Sequence, residues 1–145
     1  MIALANVTKR YGDKTVVGDV SFRVDRGEIL ALLGGSGSGK TTTLKMINRL
    51  IEPTSGTITV GGNDTRGAAA HELRRRIGYV LQEVGLFPHM TVEENVGVTP
   101  RLLGWPRAQI RDRVTELLAL VELEPSVFRA RAARELSGGQ RQRVG

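Results

Sequence analysis

Eight residues, GGSGSGKT from Gly34 to Thr41, have the composition and order of a phosphate-binding loop, G-x-x-x-x-G-K-[ST]. Gly34, Gly35, Gly37 and Gly39 let the backbone turn sharply and approach an anion with no Cβ in the way, with Ser36 and Ser38 between them. The N–H groups from Gly37 to Lys40 can then point inward as a nest for phosphate oxygens, and a helix opening there adds its positive end. Lys40 supplies a full charge to the β- and γ-phosphates and is the candidate catalytic cation. The Thr41 hydroxyl is placed to ligate Mg²⁺, and Thr42 follows it into the site. The chemistry these residues point to is binding of a nucleoside triphosphate with its metal, and the cofactors expected are ATP and Mg²⁺.

Such a loop needs a strand entering and a helix leaving. Glu28 to Leu33 is apolar after its first residue, which predicts a strand buried on both faces, as in a parallel sheet. After the loop, Leu44, Ile47 and Ile51 fall at i, i+3 and i+7 on one helical face, with Pro53 and Gly56 expected to end that helix. Upstream, ALANV and VSFRV predict two further strands, separated by turns. Thr57 to Val60 reads as another, ELRRR as a short helix and IGYVL as a strand. From Pro106 to Val121, the residues Ile110, Val114, Leu117, Leu118 and Val121 form an amphipathic stripe that packs a core, with Pro125 as its stop. Strands alternating with helices predict an α/β fold.

The totals set limits on the rest. A chain of 145 residues suits one domain, and the absence of cysteine excludes a disulfide framework and thiolate-bound zinc. His71 and His89 have no ligand-spaced partners and are given no metal role. The N-terminus lacks the long apolar stretch of a secretory signal, and no apolar run reaches bilayer length, so a soluble chain is expected. The net charge of +6 is spread from Lys9 to Arg143 and aromatics are 4% of the chain, which reads as a solvated arginine-rich surface rather than a base-stacking platform. No nucleic-acid partner is expected.

A second motif narrows the possibilities. LSGGQ, Leu136 to Gln140, resembles the signature sequence of ATP-binding cassette (ABC) proteins. Physically, Ser137 and Gln140 stand three apart in a capping-box arrangement, and Gly138 and Gly139 leave the first-turn N–H groups open to an anion. The resemblance extends over essentially the whole chain. It implies that Tyr11 stacks on adenine with Val16 as its apolar neighbour, and that Gln82 touches Mg²⁺ and the attacking water. Gly35 stands where the family commonly has proline, Thr41 where it has serine, and Gly145 where it has alanine.

The resemblance implies a P-loop NTPase core with an N-terminal antiparallel β subdomain and a helical subdomain at roughly 83–136, all within a 1–145 nucleotide-binding domain. In the family the signature helix leads into an apolar strand ending in Asp and a catalytic Glu, then a switch histidine. None of these lies within the chain, so it is expected to be the N-terminal part of a longer cassette, lacking its C-terminal strands, hydrolysing ATP negligibly and prone to aggregate. EVGLFPHMTVEENV and RLLGWP are similar to bacterial importers of quaternary-ammonium osmoprotectants such as glycine betaine, choline and carnitine. The implied partners are a second ABC ATPase subunit paired head-to-tail, transmembrane permease subunits and, indirectly, a solute-binding protein. The implied location is cytoplasmic, peripheral on the inner face of the membrane. Two other classes compete: a soluble ABC-type ATPase acting on nucleic acid or the ribosome, marked by salt-dependent nucleic-acid binding, and a nucleotide-binding module that binds ATP without turnover.

Overall fold

The first strand, β1 (Ile2–Tyr11), turns through Gly12 and Asp13 into β2 (Lys14–Val24), pairing Tyr11 with Lys14 and Ile2 with Val24. The computed structural model describes residues 1–81 and 84–145, which divide into two units, Met1–Gly78 and Tyr79–Gly145. In the first unit β1 and β2 are followed by α1 (Lys40–Ile47), β3 (Ser55–Val60), β4 (Asn63–Asp64) and α2 (Ala70–Arg74). The sheet is antiparallel throughout, in the order β2-β1-β3-β4.

Leu4, Val7, Val17 and Ile58 share one core with Met46 and Ile47 of α1, and the irregularity of β1 between Leu4 and Val7 lets two residues of odd spacing both reach it. Burying a side chain of this size contributes about 1.5–3 kcal/mol. β1 is irregular near Asn6, which has φ 49°, and side chains replace the missing ladder bonds there. The Asn6 N–H donates to Ser21 Oγ at 2.8 Å and the Asp19 N–H to Thr8 Oγ1 at 3.0 Å.

Several expectations change in this unit. Glu28 to Leu33 is not a strand: Ile29 is 98% and Leu33 90% exposed, and no strand among the described residues pairs with the segment. IGYVL, residues 77–81, likewise forms no strand, and Val80 is exposed. A strand buried on both faces is held by neighbours on both edges, and neither run has one among the described residues. The helix after the loop ends at Ile47, before Pro53, because the following turn puts Arg49 at φ 49°. Its buried face is Thr43, Met46 and Ile47, while Leu44 is exposed, since the position of the sheet rather than the i, i+3, i+7 spacing decides which side is covered. The helix expected at ELRRR is present as α2, one turn long.

The second unit holds α3 (Val92–Val96), α4 (Val98–Leu102), α5 (Arg107–Leu120), α6 (Pro125–Phe128) and α7 (Gly138–Val144). Ile110, Val114 and Leu118 of α5 are buried against Val92, Leu123 and Leu136, as the stripe predicts. Pro125 does not stop α5. The helix ends earlier, at Leu120 with Val121 as its cap, Glu122 takes φ 56°, and Pro125 opens α6 at a position where a missing N–H does no harm. α3 begins with a full capping box: the Glu94 N–H donates to Thr91 Oγ1 at 3.2 Å and the Thr91 N–H to Glu94 Oε2 at 2.8 Å. The Thr91 N–H and then the Thr91 hydroxyl hold the Glu94 carboxyl below the usual carboxylate range. Leu118→Ala in α5, where the side chain is 1% exposed, is expected to destabilise this unit by about 2–5 kcal/mol. Leu120→Ala, at 77% exposure, is expected to change stability by less than about 0.5 kcal/mol, and urea unfolding of the two variants checks the difference.

Candidate functional site

The phosphate loop of the first unit is held by contacts that leave little room for side chains. Gly39 has φ 92°, and a Cβ there would lie 2.7 Å from the Val16 carbonyl oxygen and 3.0 Å from Val17 Cγ2. The loop therefore seats directly against β2, and glycine is required on two counts. A Cβ on Gly34 would meet Ser38 Oγ at 2.6 Å, so the Ser38 hydroxyl sits over that glycine. Gly35 and Gly37 have nothing within 4 Å of a built Cβ.

Lys40 turns back across the loop. Its ammonium donates to the Gly34 carbonyl at 2.7 Å, the Gly35 carbonyl at 2.8 Å and Ser38 Oγ at 3.2 Å, which uses all three of its donors. The Thr43 hydroxyl is buried and donates to the Gly39 carbonyl at 3.0 Å, fixing the first turn of α1. Thr41 is exposed on that turn and Thr42 half-buried beside it, so the hydroxyl expected on the metal is on the accessible side. Among the described residues no group of three or more His, Cys, Asp or Glu could hold a metal, so a metal here would depend on hydroxyl, amide and phosphate oxygens.

A cleft of about 410 Å³ lies beside the loop, lined in part by Val16, Ser38, Gly39, Lys40 and Thr43. The structure thus brings Val16 to the phosphate loop. Tyr11 does not line this cleft; it stands exposed at the end of β1, with the Lys9 ammonium 4.8 Å from its ring centre. Gln82, expected at the metal and the water, lies outside the described residues.

In the second unit the Ser137–Gln140 box is formed in both directions. The Ser137 N–H donates to Gln140 Oε1 at 2.9 Å and the Gln140 N–H to Ser137 Oγ at 3.3 Å. Gly138 and Gly139 are exposed, and among the described residues nothing lies within 4 Å of a Cβ built on either, so the first turn of α7 is open there. Leu136 behaves differently from the other four signature residues: at 4% exposure its side chain is an anchor in the helical core. Arg143 fastens the other end of α7, donating to the Val121 carbonyl at 3.1 Å and the Glu122 carbonyl at 3.2 Å, where α5 has run out of internal partners.

Two organising residues escaped the sequence reading. Asn95 shapes the LFPHMT segment, accepting from the Phe87 N–H at 2.7 Å and donating to the Phe87 carbonyl at 3.1 Å and the Thr91 carbonyl at 2.9 Å. It borders a cavity of about 630 Å³ lined also by Phe87, Val96 and Leu117. Lys9 lies two residues before Tyr11, a same-face spacing on a strand that would have been the signal.

A model of the ABC transporter family matches residues 17–145, which spans both the phosphate loop and the capped glycine pair. The chain belongs to the ABC transporter family. Over its whole length this ABC transporter chain is 51% identical to the osmoprotectant import ATP-binding protein OsmV of Salmonella typhimurium. It is 49% identical to the choline transport ATP-binding protein OpuBA of Bacillus subtilis and 49% to the glycine betaine uptake system ATP-binding protein YehX of Escherichia coli. It covers 39%, 38% and 47% of those proteins, so the chain spans about two fifths of the length of the curated relatives it matches. In fold it is similar to a dimeric bacterial ABC transporter cassette, with a TM-score of 0.88 and 36% identity over 99% of this chain and 66% of that one. The P-loop NTPase fold of an ABC ATPase, with an antiparallel β part and a helical part, is thereby established.

Gly39→Ala is expected to displace the loop from β2 and destabilise the first unit by more than about 1 kcal/mol. Gly35→Ala, in open space and with no positive φ, is expected to be tolerated, and thermal unfolding separates the two. Ser137→Ala is expected to remove about 0.5–2 kcal/mol from the start of α7, read as faster amide exchange at Gln140.

Proposed function

We propose that this chain forms the nucleotide-binding part of an importer's ATP-binding subunit, which in the complete protein couples ATP hydrolysis to uptake of a quaternary-ammonium osmoprotectant of the glycine betaine or choline type. The observation that carries this reading is identity of 49–51% over the whole chain to three importer ATP-binding proteins whose names state such solutes. The cavity-forming LFPHMT segment ordered by Asn95 is the proposed face for the permease subunits. Substrate choice belongs to those subunits and to a solute-binding protein.

In this reading the triphosphate lies along the amides of Gly37 to Lys40, with the Lys40 ammonium on its outer phosphates. The residues present suit it: a loop in which Gly34 and Gly39 leave no room for a Cβ, a cation lying across it, and an open hydroxyl on the first turn of a helix. Mg²⁺, held by Thr41 and Gln82, would neutralise charge on the β- and γ-phosphates. Tyr11 stacks on the adenine, and Val16 packs at its edge. Gly138, Gly139, Ser137 and Gln140 meet the nucleotide of a second subunit paired head-to-tail; a cassette similar to this chain was itself solved as a dimer. The Asp and Glu that position water are expected beyond the signature. The proposed place of the assembly is the cytoplasmic face of a membrane, and no helix among the described residues is long and apolar enough to cross one.

Lys40→Ala removes a charge-assisted contact of about 1.5–3 kcal/mol and is expected to weaken ATP binding by roughly one to two orders of magnitude, measured by calorimetric titration. Reconstituted with its permease, the complete protein should drive ATP-dependent accumulation of radiolabelled glycine betaine or choline, and Lys40→Ala should abolish it. Transport of a polyamine or ferric iron in place of these solutes would overturn the proposed substrate class.

A further inference from the structure

The end of β1 carries a small construction that the family reading does not use. The Lys9 ammonium sits 4.8 Å from the centre of the Tyr11 ring and donates at 2.7 Å to the Glu52 carbonyl. Glu52 belongs to the connection that follows α1, and the same connection grips β1 twice more. The Arg10 N–H donates to Thr54 Oγ1 at 2.9 Å and the Thr54 N–H to the Thr8 carbonyl at 2.8 Å. Glu52 is itself held by Arg49, whose Nε lies 2.9 Å from its carboxylate. One cation therefore spans from a fixed carbonyl to one face of an otherwise exposed ring.

We propose that Lys9 is a positioning residue for the purine of the bound nucleotide. This rests on the reading that Tyr11 stacks on adenine. The ammonium covers one face of Tyr11 and fixes the plane of the ring, leaving a single face for the base. It also draws π-density toward itself, which makes the opposite face a better partner for an electron-rich purine. The connection from α1 to β3 thus ties the base platform to the helix that carries the phosphate loop.

The test titrates the complete protein with ATP and with inorganic tripolyphosphate, which shares the phosphate loop but has no base. Lys9→Met keeps the aliphatic stem and removes the cation; it is expected to weaken ATP about two- to fivefold and leave tripolyphosphate unchanged. Lys9→Arg should restore ATP binding, since a guanidinium also sits over an aromatic face. Tyr11→Ala should weaken ATP by about fivefold or more, and adding Lys9→Met to it should produce no further loss. If Tyr11→Ala weakens ATP while Lys9→Met does not, the positioning role is wrong and stacking stands. If Tyr11→Ala leaves ATP unchanged, stacking fails and the positioning role with it. Equal weakening of both ligands by Lys9→Met, or failure of Lys9→Arg to restore binding, would also overturn the proposal, because the residue would then serve the fold or act without its charge.

Discussion

The nucleotide site depends on the close approach of Gly39 to β2. A built Cβ at Gly39 falls 2.7 Å from the Val16 carbonyl oxygen, a distance no real side chain occupies. The loop therefore packs backbone to backbone on the strand, and this contact fixes where α1 begins. From that start Thr43 is placed to bond the Gly39 carbonyl, Met46 and Ile47 to meet the sheet, and Lys40 to lie over the loop. Val16, the proposed neighbour of the adenine, supplies the oxygen against which the phosphate loop rests. Val16 and the phosphate loop are thus placed against each other by β2, which is why a displacement at Gly39 would reach both.

The sheet of the first unit obeys the same rule of partnership that the loop does. β1 is central because it has a neighbour on each edge, β2 and β3, and its buried residues are Leu4 and Val7. The run from Ile29 to Leu33 is more apolar than either flanking strand, yet it forms no strand and is largely exposed. Hydrophobicity selects what a segment would bury, but backbone pairing decides whether a strand exists. The run has the composition of an interior strand and lacks the edges that would make it one.

Legibility in the sequence followed the range of the interaction. The phosphate loop, the Ser137–Gln140 box and the buried stripe of α5 depend on residues a few positions apart, and all were readable from spacing. The Thr91–Glu94 box was equally local; a Thr with Glu three places on was the available sign. The end of α1 was not readable, because the stop is the left-handed turn at Arg49, a residue type with no preference for that conformation. Nor was the covered side of α1, since Leu44 and Met46 are equally apolar and only the sheet distinguishes them. The loop and the capped glycine pair were legible as local structures, whereas the contacts of Lys9 and Asn95 are with partners that the fold alone brings near.

Lys40 shows how recognition and stability share the same atoms. Its ammonium has three donors, and the Gly34 carbonyl, the Gly35 carbonyl and Ser38 Oγ take all of them. In the proposed function a phosphate does not meet an idle cation; it must exchange for acceptors already satisfied. The exchange is favourable because the loop oxygens are neutral and the phosphate oxygens are not, so each replaced bond gains the attraction of opposite charges. The net gain is smaller than the gross strength of a lysine–phosphate contact, because part of it replaces what the loop already had. The same bonds hold the loop in a shape that receives an anion, so the ordering needed for binding is partly completed beforehand. Lys40 is therefore a brace in the loop as it stands and, in the proposed function, becomes a ligand by exchanging those same bonds, a double use that a long, flexible side chain permits.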